Sequence, residues 1–321
     1  MKKALFVLLV MGLMFSSGPV LAKDGFYIGM DLGIAVAPGI NTDNSDNDVG
    51  TTCDGFINND GSGGYLVTPK SGECNPSPSA WSNEFDGGTG ILAGASLGYR
   101  MGSFRVEGEY FYRGTTHDSS DIAAAPSDDV TQAKAAQELA FIEGGLDDVL
   151  SHNFFANLYY DYRSDSKFTP YLGVGVGFAR VSMDFYNRWA RNHDPSQIST
   201  FTTDEDGDAL DLQSLPQQEH ENRLLLNRNV AGTTTIARAK LSDTLFGYQV
   251  IAGVDYQVSE PVSIGLKFRW ADFAEFEDGG EWNQLRSHDS ARSPGGARVQ
   301  YKVMTDDIQF WGVSLNMKYQ F

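Results

Sequence analysis

Every second residue from Trp311 to the end of the chain is apolar: Trp311, Val313, Leu315, Met317, Tyr319 and Phe321. Between them stand Gly312, Ser314, Asn316, Lys318 and Gln320. A period of two is a β-strand with one apolar and one polar face. Aromatic rings close both ends of the apolar face, and rings favour the two boundaries between lipid and water. The stretch therefore predicts a strand that crosses a membrane. Such a strand carries backbone N–H and C=O groups along both edges, and lipid offers them no partners. Membrane strands are consequently confined to closed barrels, so this one feature constrains the whole chain.

The N-terminus predicts export. Lys2 and Lys3 precede an apolar run from Ala4 to Phe15, and small residues lead to Val20-Leu21-Ala22. This is the layout of a secretory signal, residues 1–22, with cleavage expected after Ala22. The apolar run is too short to cross a bilayer as a helix. No later stretch is continuously apolar over a helix-spanning length, which excludes a helical membrane protein. Mean hydropathy is −0.30 although aromatics make up 12% and glycines number 35. Alternating strands hide their apolar faces from such an average. The net charge of −18 becomes about −20 once Lys2 and Lys3 leave with the signal. That acidity argues against nucleic acid as a partner, which calls for a basic patch.

The alternation recurs seven more times. Asp24 to Val36 places Phe26, Ile28, Met30, Leu32, Ile34 and Val36 on one face. Thr89–Arg100, Phe104–Arg113, Ser151–Tyr162, Phe168–Met183, Asp243–Val258 and Val262–Phe273 follow the same rule. Within the fifth strand Gly173, Gly175 and Gly177 alternate with Leu172, Val174, Val176 and Phe178. A glycine run of this kind can suggest a nucleotide loop, but that needs a strand–turn–helix context, which is missing here. Inward glycines instead leave room for long side chains crossing a narrow lumen.

Tight turns at Met101-Gly102-Ser103, Ser164-Asp165-Ser166 and Ser259-Glu260-Pro261 alternate with four long connections, about 37–88, 115–150, 184–241 and 274–305. The expected fold is all-β: a transmembrane eight-stranded antiparallel up-and-down β-barrel spanning residues 23–321. Its three short turns would lie in the periplasm and its four long loops outside the cell. Two short helices are expected within the loops, over Asp128–Ile142 and Gln217–Arg228. A soluble barrel of lipocalin type is the alternative architecture. The paired aromatic bands, the terminal phenylalanine and the signal segment favour the membrane form.

These residues resemble the small eight-stranded bacterial outer-membrane β-barrel proteins: the OmpA barrel domain, OmpX, OmpW and the opacity and surface-antigen type. The resemblance covers residues 23–321. Its most specific element is Tyr319-Gln320-Phe321, which matches the aromatic-x-aromatic end that the family's barrel assembly machinery recognises. Where the family commonly has glycine three residues before the first of these aromatics, this chain has Asn316. The resemblance implies the outer membrane of a Gram-negative bacterium, reached through the periplasm, with membrane lipids and lipopolysaccharide as neighbours.

Strand parity turns a set of charges inward: Asp31, Arg100, Arg105, Glu107, Glu109, Arg113, Asp255, Lys267, Arg269 and Lys318. An eight-stranded barrel is just wide enough to be filled by side chains. Buried charges must be paired, so the expectation is an ion-pair network plugging the lumen, with Glu107 and Glu109 facing Lys267 and Arg269. A narrow selective pore lined by the same groups is the alternative.

His117, His152, His193, His220 and His288-Asp289-Ser290 show no spacing that names a nucleophile and its base, so no catalytic residue is assigned. A lipid-modifying enzyme is the least favoured class. Asp43–Asp48 and Asp204–Asp208 are acidic, but from Asp204 the EF-type glycine and glutamate positions hold Ala209 and Leu215. No metal site or cofactor is therefore assigned. Cys53 and Cys74 are the two cysteines, and in an exported chain they are expected to form a disulfide closing one loop.

Long loops on a rigid scaffold are where recognition lives. The expected function is a structural or surface-interaction protein, adhesin- or antigen-like, that contacts a host or other extracellular ligand. A small-solute channel is the runner-up.

Overall fold

The computed structural model describes residues 24–46, 54–59, 65–69, 80–117, 123–124, 139–198, 202, 209–232, 234–281 and 300–321. The signal segment, Cys53, Cys74, His288 and residues 203–208 lie outside the described residues. The strands in chain order are β1 (Gly25–Val36), β2 (Ile40–Asp46), β3 (Asp54–Asn59), β4 (Tyr65–Pro69), β5 (Ala80–Phe85), β6 (Thr89–Met101), β7 (Phe104–Thr116) and β8 (Ala123–Ala124). After these come β9 (Leu139–Asp161), β10 (Phe168–Arg191), β11 (Thr234–Gln257), β12 (Val262–Phe273), β13 (Phe276–Glu281), β14 (Gln300–Thr305) and β15 (Gln309–Gln320). Among the described residues one α-helix, α1, covers Gln217–Val230, and a 3-10 turn covers Pro195–Gln197.

Eight strands close into an antiparallel barrel in the order β1-β15-β12-β11-β10-β9-β7-β6. Closure is made by β1 with β15, whose register runs from Tyr27↔Gln320 to Val36↔Trp311. Phe321 then donates its backbone N–H to the Phe26 carbonyl at 3.0 Å. No barrel edge is left for another chain to pair with.

Alternation sorts the side chains as expected. Leu32, Leu172, Leu315 and Trp311 stand outward and exposed, while Asp31, Lys267, Asn316 and Lys318 are buried inside. The outer apolar band carries two girdles built from aromatic contacts between adjacent strands. Near the short turns these are Phe26–Tyr99 at 4.8 Å, Phe104–Tyr160 at 5.4 Å and Phe168–Tyr256 at 4.9 Å. Towards the long connections they are Tyr110–Phe154 at 5.1 Å, Phe178–Phe246 at 5.7 Å and Tyr248–Trp270 at 5.7 Å. Such pairs stabilise a sheet locally and mark the two lipid boundaries.

Three strands do not stop at the second girdle. The expected ends of strands four, five and six are corrected: β9 starts at Leu139, β10 runs on to Arg191 and β11 begins at Thr234. Past Phe178, β10 adds roughly 40 Å of strand at the usual rise per residue. Its face pattern inverts at that point. Up to Phe178 the outward residues are apolar and the inward ones are largely glycine. Beyond it, outward come Arg180, Ser182, Asp184 and Tyr186, and buried inward come Ala179, Val181, Met183 and Phe185. β11 inverts in the same place, with Thr244, Ser242, Lys240 and Arg238 outward and Leu245, Leu241 and Ala237 inward. Lipid favours apolar residues outside the wall, whereas water favours them inside.

The long connections also carry structure of their own, which corrects the reading of 37–88, 115–150 and 274–305 as loops. A second sheet runs β13-β14-β2-β5-β8. Its β13 edge lies against β11, where the Ser242 N–H donates to Asp278 Oδ2 at 2.6 Å, and its other edge lies against β9. Between this sheet and the extended wall lies one core that includes Ile40, Trp81, Phe85, Phe185, Leu241, Phe276 and Val303. Hydrophobic period alone misses β2, because its buried positions are Ile40, Thr42 and Asn44. There Asn44 donates to Asn83 Oδ1 at 3.0 Å, and Asn83 in turn donates to Asn187 Oδ1 on β10 at 3.0 Å.

Of the two expected helices, α1 stands, from Gln217 to Val230. The other is corrected at its end: Leu139–Ile142 is strand, and 125–138 lies outside the described residues. Outside the lipid band, burial pushes the Tyr301 hydroxyl up to about 12, helped by the charge of Asp278. Burial and a hydrogen bond donated to Glu143 at 3.1 Å raise Tyr186.

Candidate functional site

The barrel interior is filled in layers, and the lowest layers are built by glycine. Tyr27 pairs across the sheet with Gly98, Tyr159 with Gly173 and Tyr171 with Gly253. A Cβ at any of these glycines would meet the partner's ring. Glycine thus lets each tyrosine lie flat along the wall and reach the centre. The three rings surround the Arg105 guanidinium, at 4.7 Å from Tyr159, 4.7 Å from Tyr171 and 5.8 Å from Tyr27. Each such cation–ring contact is favourable, most so when shielded from water.

Around Arg105 lies the ion-pair group nearest the short turns. Arg105 donates Nε–H to Asp161 Oδ1 at 2.9 Å, and its Nη1 stands 3.7 Å from Asp255 Oδ2. Lys318 donates to both Asp255 oxygens at 2.7 Å. Arg100 reaches Asp161 Oδ2 at 3.4 Å as a charge contact without hydrogen-bond geometry.

One layer further in, Glu109 is the hub. Its Oε1 accepts from Arg269 at 2.6 Å and from Lys267 at 3.1 Å, and its Oε2 accepts from Asn157 at 2.9 Å and Gln249 at 3.1 Å. Lys267 also donates to Asp31 Oδ2 at 2.8 Å. Glu107 differs from the expectation that it faces Lys267 or Arg269 at contact distance. It accepts instead from the Tyr27 hydroxyl at 2.8 Å and the Tyr159 hydroxyl at 2.9 Å. The two groups balance: Asp31, Glu107, Glu109, Asp161 and Asp255 against Arg100, Arg105, Lys267, Arg269 and Lys318.

Above Glu109 the interior becomes apolar. Phe111, Phe155, Phe273 and Phe310 are all buried, with Phe111 stacked on Phe155 at 5.8 Å and edge-on to Phe310 at 5.9 Å. Arg269 lies across the Phe111 face at 4.2 Å and so joins the two layers. Arg113 stands apart from the network in this apolar layer, 4.8 Å over Phe310 and donating to Ser151 Oγ at 3.2 Å.

The ten inward charges selected from the sequence are all buried in the wall's interior. Sequence reading missed Asp161, the shared partner of Arg100 and Arg105. It also missed Tyr27, Tyr159, Tyr171, Asn157 and Gln249, although every one has inward parity. The signal was present, but attention to charge alone passes over the neutral groups that complete a buried network.

The histidines are dispersed. His152 faces outward beside Tyr110, whose hydroxyl lies 2.9 Å from Nδ1. His117 is buried, with Nδ1 2.9 Å from the Asp86 carbonyl. Among the described residues no cluster of three or more His, Cys, Asp or Glu suited to a metal ion is present.

The sequence model of a family described as surface antigen matches residues 22–193, more than half of the chain. No curated protein matches the chain by sequence. Among solved structures it is similar to Neisserial surface protein A, with 14% identity over 92% of this chain and 97% of that one and a TM-score of 0.33. Another is the outer-membrane protein OprG of Pseudomonas aeruginosa, with 16% identity over 93% and 98% and a TM-score of 0.40. A third is Ail of Yersinia pestis, with 8% identity over 92% and 99% and a TM-score of 0.28.

Proposed function

This chain belongs to the surface antigen family, and from that and its filled interior we propose that it is a surface-interaction scaffold rather than a conduit. In this reading it sits in the outer membrane of a Gram-negative bacterium, reached through the periplasm. The short turns lie on the periplasmic side, and β9–β11 lift a folded head into the medium. The observation that carries the reading is the layered interior: two ion-pair groups, then a phenylalanine layer, then the core beneath the second sheet. Binding to a host or other extracellular ligand would fall to the head and its connections, which are held well beyond the lipid by continuous strands.

Planar-bilayer recording of the refolded protein tests this. The expected result is a silent membrane at ordinary driving voltages. Discrete, reproducible openings that change when Lys267 or Glu107 is neutralised would favour the narrow-channel reading instead.

The terminal strand yields a separate expectation. Tyr319 and Phe321 contact edge-on at 5.5 Å on the outer face. We propose that they serve as the assembly signal read by the barrel assembly machinery. Exchanging both for serine is expected to leave little folded barrel in the outer-membrane fraction, scored by heat-dependent mobility on gels. Parent-like amounts would remove the strand's special role.

A further inference from the structure

The outer wall contains a groove that the interior does not explain. Its volume is about 790 Å³, and its lining is mainly apolar. Ala95, Gly108 and Ala156 form its floor, on three adjacent strands, with Gly108 paired to Ala156. Tyr110, Phe154, Phe178 and Phe246 stand along one rim. These are outward positions within the lipid band, so hydrocarbon is the medium that faces them.

Gly108 is the informative residue. Its φ is not positive, and a Cβ placed there meets only the Leu97 carbonyl, at 4.0 Å. Inward Gly98, Gly173 and Gly253 differ, because a tyrosine ring occupies each of their Cβ positions. Neither backbone conformation nor a neighbouring side chain requires glycine at 108. What a larger residue would do is fill the groove.

Just beyond the aromatic rim the wall presents a cation. Arg180 lies two residues past Phe178, paired across the sheet with His152 on one side and Thr244 on the other. Its guanidinium donates to Thr244 Oγ1 at 3.2 Å and Ser242 Oγ at 2.7 Å, and among the described residues no carboxylate pairs with it. The neighbouring acids have other partners: Asp184 faces Lys240 at 3.8 Å, Asp148 accepts from Thr116 at 3.2 Å, Asp278 from the Ser242 N–H at 2.6 Å and Asp243 from the Glu277 N–H at 3.2 Å. In a chain of net charge −18, an arginine without an ion pair among the described residues, at the lipid boundary above an apolar groove, complements a lipid with an anionic head. Arginine's planar fork suits phosphate oxygens.

We propose that this face binds a phosphorylated lipid of the surrounding leaflet, one acyl chain lying in the groove over Gly108 and the phosphate resting against Arg180 and His152. The site is independent of what the head recognises.

Native mass spectrometry of the full mature chain, refolded in a zwitterionic detergent, tests it. The probe is a bisphosphorylated, multiply acylated glucosamine disaccharide, compared with its dephosphorylated form and with inorganic phosphate. One bound phosphorylated lipid per barrel is expected, with retention falling about tenfold in Gly108→Leu and in Arg180→Gln. Both variants should keep the parent's heat-dependent gel mobility, which shows that they fold. The proposal is overturned if the parent retains no probe, or if the dephosphorylated lipid or free phosphate binds as well. Retention equal to the parent's in either variant overturns it as well. So does a parent dimer that Gly108→Leu converts to monomer, because the groove would then hold a second copy of the chain.

Discussion

Replacing Glu109 with leucine should lower the unfolding free energy by about 3–5 kcal/mol, the cost of removing one member of a buried ion pair. The side chain is buried and its two oxygens accept four hydrogen bonds, two of them from cations. Without it Lys267 retains Asp31, but Arg269 keeps only the Gln249 oxygen at 3.3 Å and the Phe111 ring face, and no carboxylate. An unpaired guanidinium is then held in an interior that water cannot readily reach. The check is urea unfolding of the refolded protein in lipid vesicles, followed by tryptophan emission. Adding Arg269→Met to the variant should restore part of the loss, because two buried charges have been exchanged for apolar volume. A loss under about 1 kcal/mol would mean that water already solvates the layer, as in an open pore.

Phe111→Ala is expected to cost a similar amount, about 3–5 kcal/mol, through lost burial and the cavity left behind. The ring is fully buried, and it meets Phe155, Phe310 and the Arg269 guanidinium. Bilayer recordings of this variant should nevertheless remain silent, because the Glu109 layer beneath it is intact. Filling in series predicts that breaching one layer weakens the barrel without opening it. Openings in Phe111→Ala alone would show that the ion-pair layer passes ions and that the phenylalanines are the true barrier.

The membrane half of this molecule is unusually open to sequence reading. Facing direction in a strand is fixed by parity, and lipid rewards one chemistry on one side of the wall. Knowing that Trp311, Val313 and Leu315 face lipid is enough to send Lys318 and Asn316 inward. The same rule turned Arg105 and Glu109 inward from β7 and Lys267 inward from β12. It could not say that Glu107 accepts from two tyrosines, because that depends on which residues meet across the barrel's width.

Above the second girdle the rule changes sign, and there the sequence was misread. Val181, Met183 and Phe185 continue a period of two, but they keep the inward parity of Gly175 and Gly177. A search for outward apolar residues finds no run past Phe178, so the expected strand stops at Met183 and 184–241 is assigned to loop. β2 was harder still, since Thr42 and Asn44 are buried through hydrogen bonds rather than hydrophobicity.

The eight crossing strands and the facing of their side chains could be read from the chain alone, because each follows from local alternation against a two-phase solvent. That β9 to β11 rise out of the lipid, that a second sheet covers them and that Glu109 gathers both cations of β12 needed the folded structure. Those features rest on contacts between residues far apart in the chain, where no local period records the partner.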